Sequence, residues 1–241
     1  MELTMGFFDF LFGTDEESTL KKHAKRVNNL NAQFEERQAS AQWLAENSSP
    51  EAITALLNRF SIAYEHNMKD AEEKDFILSH LRFIGDSALP TIKSWIKTND
   101  KFARPLTLIE HHEGAEGVVE LLLEIVELET DQFKPEKKRQ GLIHLAKFND
   151  KRIPSVAIPE LSNFDEGVRY AAVEALSNQD GDDVREALCQ ALGNPDEESN
   201  RYRVRIAEVF LSKNWLLSNS DSIENNPPVG FTVVDSRIAR A

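Results

Sequence analysis

Cysteine is nearly absent. Of 241 residues only Cys189 carries a thiol, so no disulfide can form within the chain and a disulfide-stapled fold is excluded. Glycine and proline are scarce, at 10 and 9 residues, and Pro50, Pro135 and Pro195 fall where helices would begin. Alternating runs of Val, Ile and Thr are almost missing before residue 229, which excludes a sheet for most of the chain. No apolar run approaches the ~20 residues of a membrane span. The N-terminal apolar run has no basic lead and is interrupted by Asp9, so a signal peptide is not expected. An excess of positive charge is also lacking. Lys and Arg number 28 against 41 Asp and Glu, a net charge of −13. Nucleic-acid binders need cations to neutralise phosphates, so this balance argues against DNA or RNA as the partner. It disfavours anionic lipid surfaces as well, and makes a basic protein or peptide the natural complement. The cytoplasm is the expected compartment.

What is present is helical periodicity. Thr14 and Glu17 have the spacing of a capping box, and no Gly or Pro intervenes from there to about Asn47. Leu20, Ala24, Val27, Phe34, Ala41 and Ala45 keep a three-four spacing, which predicts one long first helix. Ser49-Pro50-Glu51 then predicts a new helix start, with a Ser cap, Pro at the first position and an acid at the positive end. Helix pairs follow at 70–84 with 86–97, 105–112 with 115–128, 135–148 with 151–163, and 165–177 with 182–192. A last long helix is expected over 196–215. Cys189 falls among Val184, Leu188, Ala191 and Leu192 at helical spacing, the place of a small core residue. The organisation expected is an aromatic segment at 1–13, a helical array at 14–217 and a tail at 218–241.

Three of these helices align. Arg139 precedes Leu142 and Ala146, Arg169 precedes Ala172 and Leu176, and Arg203 precedes Ile206 and Phe210. Each apolar residue comes three or seven positions after its arginine, on one helical face. A period near thirty residues is the mark of a solenoid, in which no unit can bury its apolar face alone. The stretch from Asp165 through Val168, Arg169 and Ala172 to Leu176 resembles the HEAT-like repeat family, in particular its short bilin-lyase-type subclass. The unit with Asp196 and Arg203 is a looser match, and the units before residue 100 share only the helical outline. The resemblance implies an all-α fold, a right-handed α-solenoid of about five to six HEAT-like helix pairs. It also implies that Asp165, Arg169, Arg139 and Arg203 are structural, tying neighbouring repeats at their turns. Function does not follow from it, because solenoids host unrelated activities.

Four features remain. Between Arg104 and Lys134 there is no Lys or Arg, while Glu113, Glu116, Glu120, Glu124 and Glu127 step by three or four. They are expected to line one face of the 115–128 helix, as a ridge for a basic partner or as a solvated face. His112-Glu113 is a single His-Glu pair, whereas the HEAT-like deoxyhypusine hydroxylases need several such pairs to hold two irons, so no metal is expected. Phe7, Phe8, Phe10 and Phe12 must meet something, either as a cap on the end of the array or as a peripheral anchor through residues 5–12. Asn225-Asn-Pro-Pro breaks helix, and 231–240 reads as a β-hairpin. No phosphate loop, nucleophile elbow or metal constellation occurs, so no catalytic residue and no cofactor is expected. The reading is a non-enzymatic protein–protein interaction scaffold that binds a partner on its concave helical face. A bilin-lyase-like or HEAT-like DNA-modifying enzyme is the alternative the resemblance allows.

Overall fold

A computed structural model describes the backbone from Met5 onward and the side chains from Glu16 onward. The chain forms two compact units, Met1–Val118 and Val119–Ala241. The first contains α1 (Met5–Val27), α2 (Phe34–Asn47), α3 (Pro50–Asn58), α4 (Asn67–Ile84), α5 (Leu89–Thr98) and the start of α6 (Ala103–Leu128). The single long helix expected from Thr14 to Asn47 is thus two helices, and α1 already runs through Thr14. The cause of the break is the run Asn28-Asn-Leu-Asn31. Asn side chains compete with the backbone for its own hydrogen bonds. Asn28 Nδ2 donates to the Ala24 carbonyl that ends α1 and to the Ala55 carbonyl of α3, both at 3.0 Å. Ser49 caps α3 as its sequence requires, its Oγ accepting from Ala52 N at 3.2 Å.

Apolar residues from every helix of this unit meet in its core, with Leu44, Ala52, Leu56, Leu81 and Ile96 fully buried. Beside them lies a buried ionic network. Arg59 is 0% exposed and Glu73 4%. Arg59 Nη2 donates to Glu73 Oε2 at 2.8 Å and to Asp70 Oδ1 at 2.7 Å, and its Nη1 donates to the Ile62 carbonyl at 2.9 Å. Arg37 approaches the other oxygen of Glu73, with its Nε at 2.7 Å, and also donates to the Ala32 carbonyl. Lys74 Nζ closes the set on Asp70 Oδ2 at 2.6 Å. Burial pushes the Asp70 carboxyl up, but Lys74 and Arg59 outweigh it and hold it below its ordinary value.

α6 is interrupted at Gly114, with φ 68° and ψ −167°. Only glycine takes that conformation without strain, and the helical runs on either side are separate elements.

The second unit continues with α7 (Glu136–Leu145), α8 (Ile153–Ala157) and a 3₁₀ turn (Pro159–Ser162). After it come α9 (Glu166–Ser177), α10 (Asp182–Leu192), α11 (Asn200–Lys213), α12 (Ser220–Asn225), β1 (Phe231–Val234) and β2 (Arg237–Arg240). α9 lies against α7, α8 and α11, and its Ala171, Ala172 and Ala175 are all 0% exposed. These small residues let neighbouring helices approach on more than one side. Gly141 does the same for α7, since a Cβ there would stand 3.0 Å from Val126 Cγ2. Cys189 is buried in this core.

The last long helix starts at Ser199, whose Oγ accepts from Tyr202 N at 3.2 Å, rather than at Asp196. β1 and β2 pair antiparallel through a turn at Asp235 and Ser236, both at positive φ, the geometry of tight hairpins. The Leu217 N–H donates to the Ser236 carbonyl at 2.8 Å, and β2 packs on α11. The described residues are therefore all-α apart from this one hairpin. Among them no helix is long and apolar enough to cross a membrane.

Candidate functional site

The acidic row is shorter than its spacing predicts. Glu113 precedes the Gly114 break, folds over Gly117 and pairs with Lys93 Nζ at 2.7 Å. It therefore does not continue the helical row. Glu116 lies after the break and is exposed. In the second unit every residue from Val119 to Val126 is buried except Glu120, which is exposed, and Glu124, which is half-buried. Glu127 follows one turn later, also exposed. The solvent-facing strip over 119–127 thus consists of carboxylates, and Leu128 at the end of α6 is exposed beside it. Leu121, Leu122, Ile125 and Val126 occupy the rest of the circumference.

The residues read as structural have different surroundings. Asp165 caps α9, its Oδ1 accepting from Val168 N at 2.9 Å. Arg169 reaches two successive turns. Its Nη1 donates to the Asn163 and Phe164 carbonyls at 3.0 and 3.1 Å, and its Nη2 donates to Glu197 Oε1 at 3.0 Å. Arg139 instead pairs with Glu136 of its own helix, at 2.6 Å. Arg203 is buried and donates to the Asn226 carbonyl at the end of α12.

His112 Nδ1 lies 3.0 Å from Asp86 Oδ1, and no cluster of three or more His, Cys, Asp or Glu among the described residues could hold a metal. Phe7, Phe8, Phe10 and Phe12, read as a cap or an anchor, lie outside the described side chains.

Two features had not been singled out in the sequence. The Glu73 network joins residues up to 36 positions apart, so no local pattern marks it. The other is Phe164, 86% exposed at the start of α9. An apolar residue just before a helix cap normally packs on the fourth helical residue. Here that residue is Arg169, so Phe164 has no staple partner, and this much is legible in the sequence.

Comparison with known proteins bears on the same region. Residues 168–194 match the family model described as PBS lyase HEAT-like repeat. No curated protein matches the chain. Among solved structures, the crystal structure of an engineered protein is similar at 18% identity and a TM-score of 0.35. That match covers 81% of this chain and 98% of the engineered one.

Proposed function

We propose that this chain, with its HEAT-like repeat at 168–194, is a non-enzymatic scaffold that holds a basic protein or peptide segment on α6. The observation that carries the reading is the strip of Glu120, Glu124 and Glu127. On a helix segment otherwise buried from 119 to 126, the surface left to a partner is carboxylate, with the exposed Leu128 beside it. Complementary potential steers a cationic partner to such a strip and fixes its register. The net charge of −13 acts in the same direction at long range. In this reading the protein works in the cytoplasm.

The test is affinity capture from a native, nuclease-treated lysate with the tagged full chain and with its Glu120→Lys/Glu124→Lys variant. A stoichiometric basic partner retained by the first and lost by the second, at equal melting temperature, is the expected result. Equal retention by both refutes the strip. The words "PBS lyase" in the matched family's description favour one second reading, a bilin-lyase-like activity. A chromophore co-purifying with the chain would report it.

A further inference from the structure

In the second unit, the turn before α9 and the turn before α11 enclose an open groove of about 790 Å³. Phe164 stands at its mouth, 86% exposed. Its walls carry Glu166, Asp196, Glu197 and Glu198. Arg169 is the one cation lining it, and its guanidinium is already engaged by Glu197 at 2.9 Å. Four carboxylates against one committed guanidinium leave the groove with net negative charge. A second groove of about 670 Å³ shares Leu161, Ser162, Asn194 and Glu197 with the first and adds Ile158 and Glu186. Leu161 and Tyr202 are buried beneath it, the Tyr202 hydroxyl donating to the Leu161 carbonyl at 2.9 Å.

The walls are held in place before anything binds. Arg169 fixes the Phe164 carbonyl. Asn194 Oδ1 accepts from Asp196 N at 3.0 Å, Glu197 Oε1 accepts from Ser199 N at 2.8 Å, and Glu166 Oε1 accepts from Ser199 Oγ at 2.8 Å. An aromatic ring left in water on an ordered turn has its apolar contact area available at little further entropic cost. Exposed aromatics with a polar rim are the usual anchors of interfaces.

We infer that this groove docks an extended basic peptide segment in which an apolar residue is flanked by lysines or arginines. The apolar residue would cover Phe164, and the cations would face Asp196, Glu198 and Glu186. The Glu120–Glu127 strip is a separate surface and contributes nothing to this site.

A fluorescein-labelled heptapeptide alternating lysine and leucine, titrated into the full chain at physiological salt with anisotropy readout, tests the inference. Saturable binding is expected, weakened fivefold or more by Phe164→Ala and by Asp196→Lys/Glu198→Lys. Replacing each leucine of the peptide by glycine should weaken it by the same factor or more. Glu120→Lys/Glu124→Lys should leave it unchanged. The substituted groove residues are exposed, and equal melting temperatures of the variants exclude unfolding as the cause. Absence of saturable binding overturns the inference, as does an effect of Phe164→Ala below fivefold or equal binding of the glycine peptide. Loss in the Glu120→Lys/Glu124→Lys variant alone also overturns it, and would move the peptide to the α6 strip.

Discussion

Glu73 is the residue on which the first unit's ionic network turns, because it is the carboxylate shared by Arg37 and Arg59. Burying such a network is not in itself strongly stabilising, since desolvation offsets most of the Coulombic gain. Breaking it is a different matter. In Glu73→Gln the Arg37 guanidinium, 5% exposed as a side chain, would face a neutral amide in place of its carboxylate, and Arg59, 0% exposed, would keep Asp70 alone. The expected cost is about 3–5 kcal/mol, read as a lowered urea midpoint at unchanged slope. Glu17→Gln, which removes one partner of the exposed Lys21–Glu17 pair, should leave the midpoint where it is. The sequence carries little sign of this difference. Glu73 sits in α4 among other charged residues, and what distinguishes it is contact with Arg37, 36 positions away. By contrast, Ser49 and Asp165 were legible as caps because each bonds a backbone N–H only three residues on.

Elements were legible where their ends are set by local chemistry, and misread where a side chain reaches elsewhere. Pro50, Gly85, Gly114 and Gly181 mark boundaries that the helices respect. The α1–α2 break was missed because Asn28 ends α1 partly through the Ala55 carbonyl of α3, a contact that periodicity cannot contain. The arginine positions of the repeat show the same division. Arg139 and Arg169 occupy equivalent places in the sequence, yet only Arg169 bonds both its own turn and the next one. Arg169→Ala is expected to destabilise the chain by about 2–3 kcal/mol, through loss of charged hydrogen bonds to two carbonyls and to Glu197. Arg139 and Glu136 are 37% and 46% exposed as side chains, so Arg139→Ala should cost about 0.5 kcal/mol or less. Thermal melts of the two variants side by side check the contrast. Equal losses would mean that the repeat arginines act alike whatever their partners.

Over the whole molecule, composition had fixed the helical class and the acidic balance, while the way charge links to stability required burial to be known. His144 illustrates this. Burial, and then Lys147, hold its imidazole below the ordinary value of 6.5. The unfolded chain therefore binds its proton at a higher pH than the folded one does. Between the two values the unfolded state carries more protons, so this group's contribution to stability falls as pH drops below about 6.5. It levels off once pH passes below the folded value. His23, stacked on Trp43 at 4.4 Å, is shifted in the same direction by burial, Arg26 and Lys22. A net charge of −13 adds a pH dependence of its own to the wild-type curve, so that curve alone mixes the two effects. The difference between wild type and His144→Gln separates them, because the general field is common to both. Whatever stability the variant loses at pH 7.5, its deficit should shrink as pH falls to 5.5, by at most about 1.4 kcal/mol per pH unit. Urea midpoints at four pH values across that range measure it. A deficit that stays constant would mean the imidazole is as readily protonated in the folded chain as in the unfolded one.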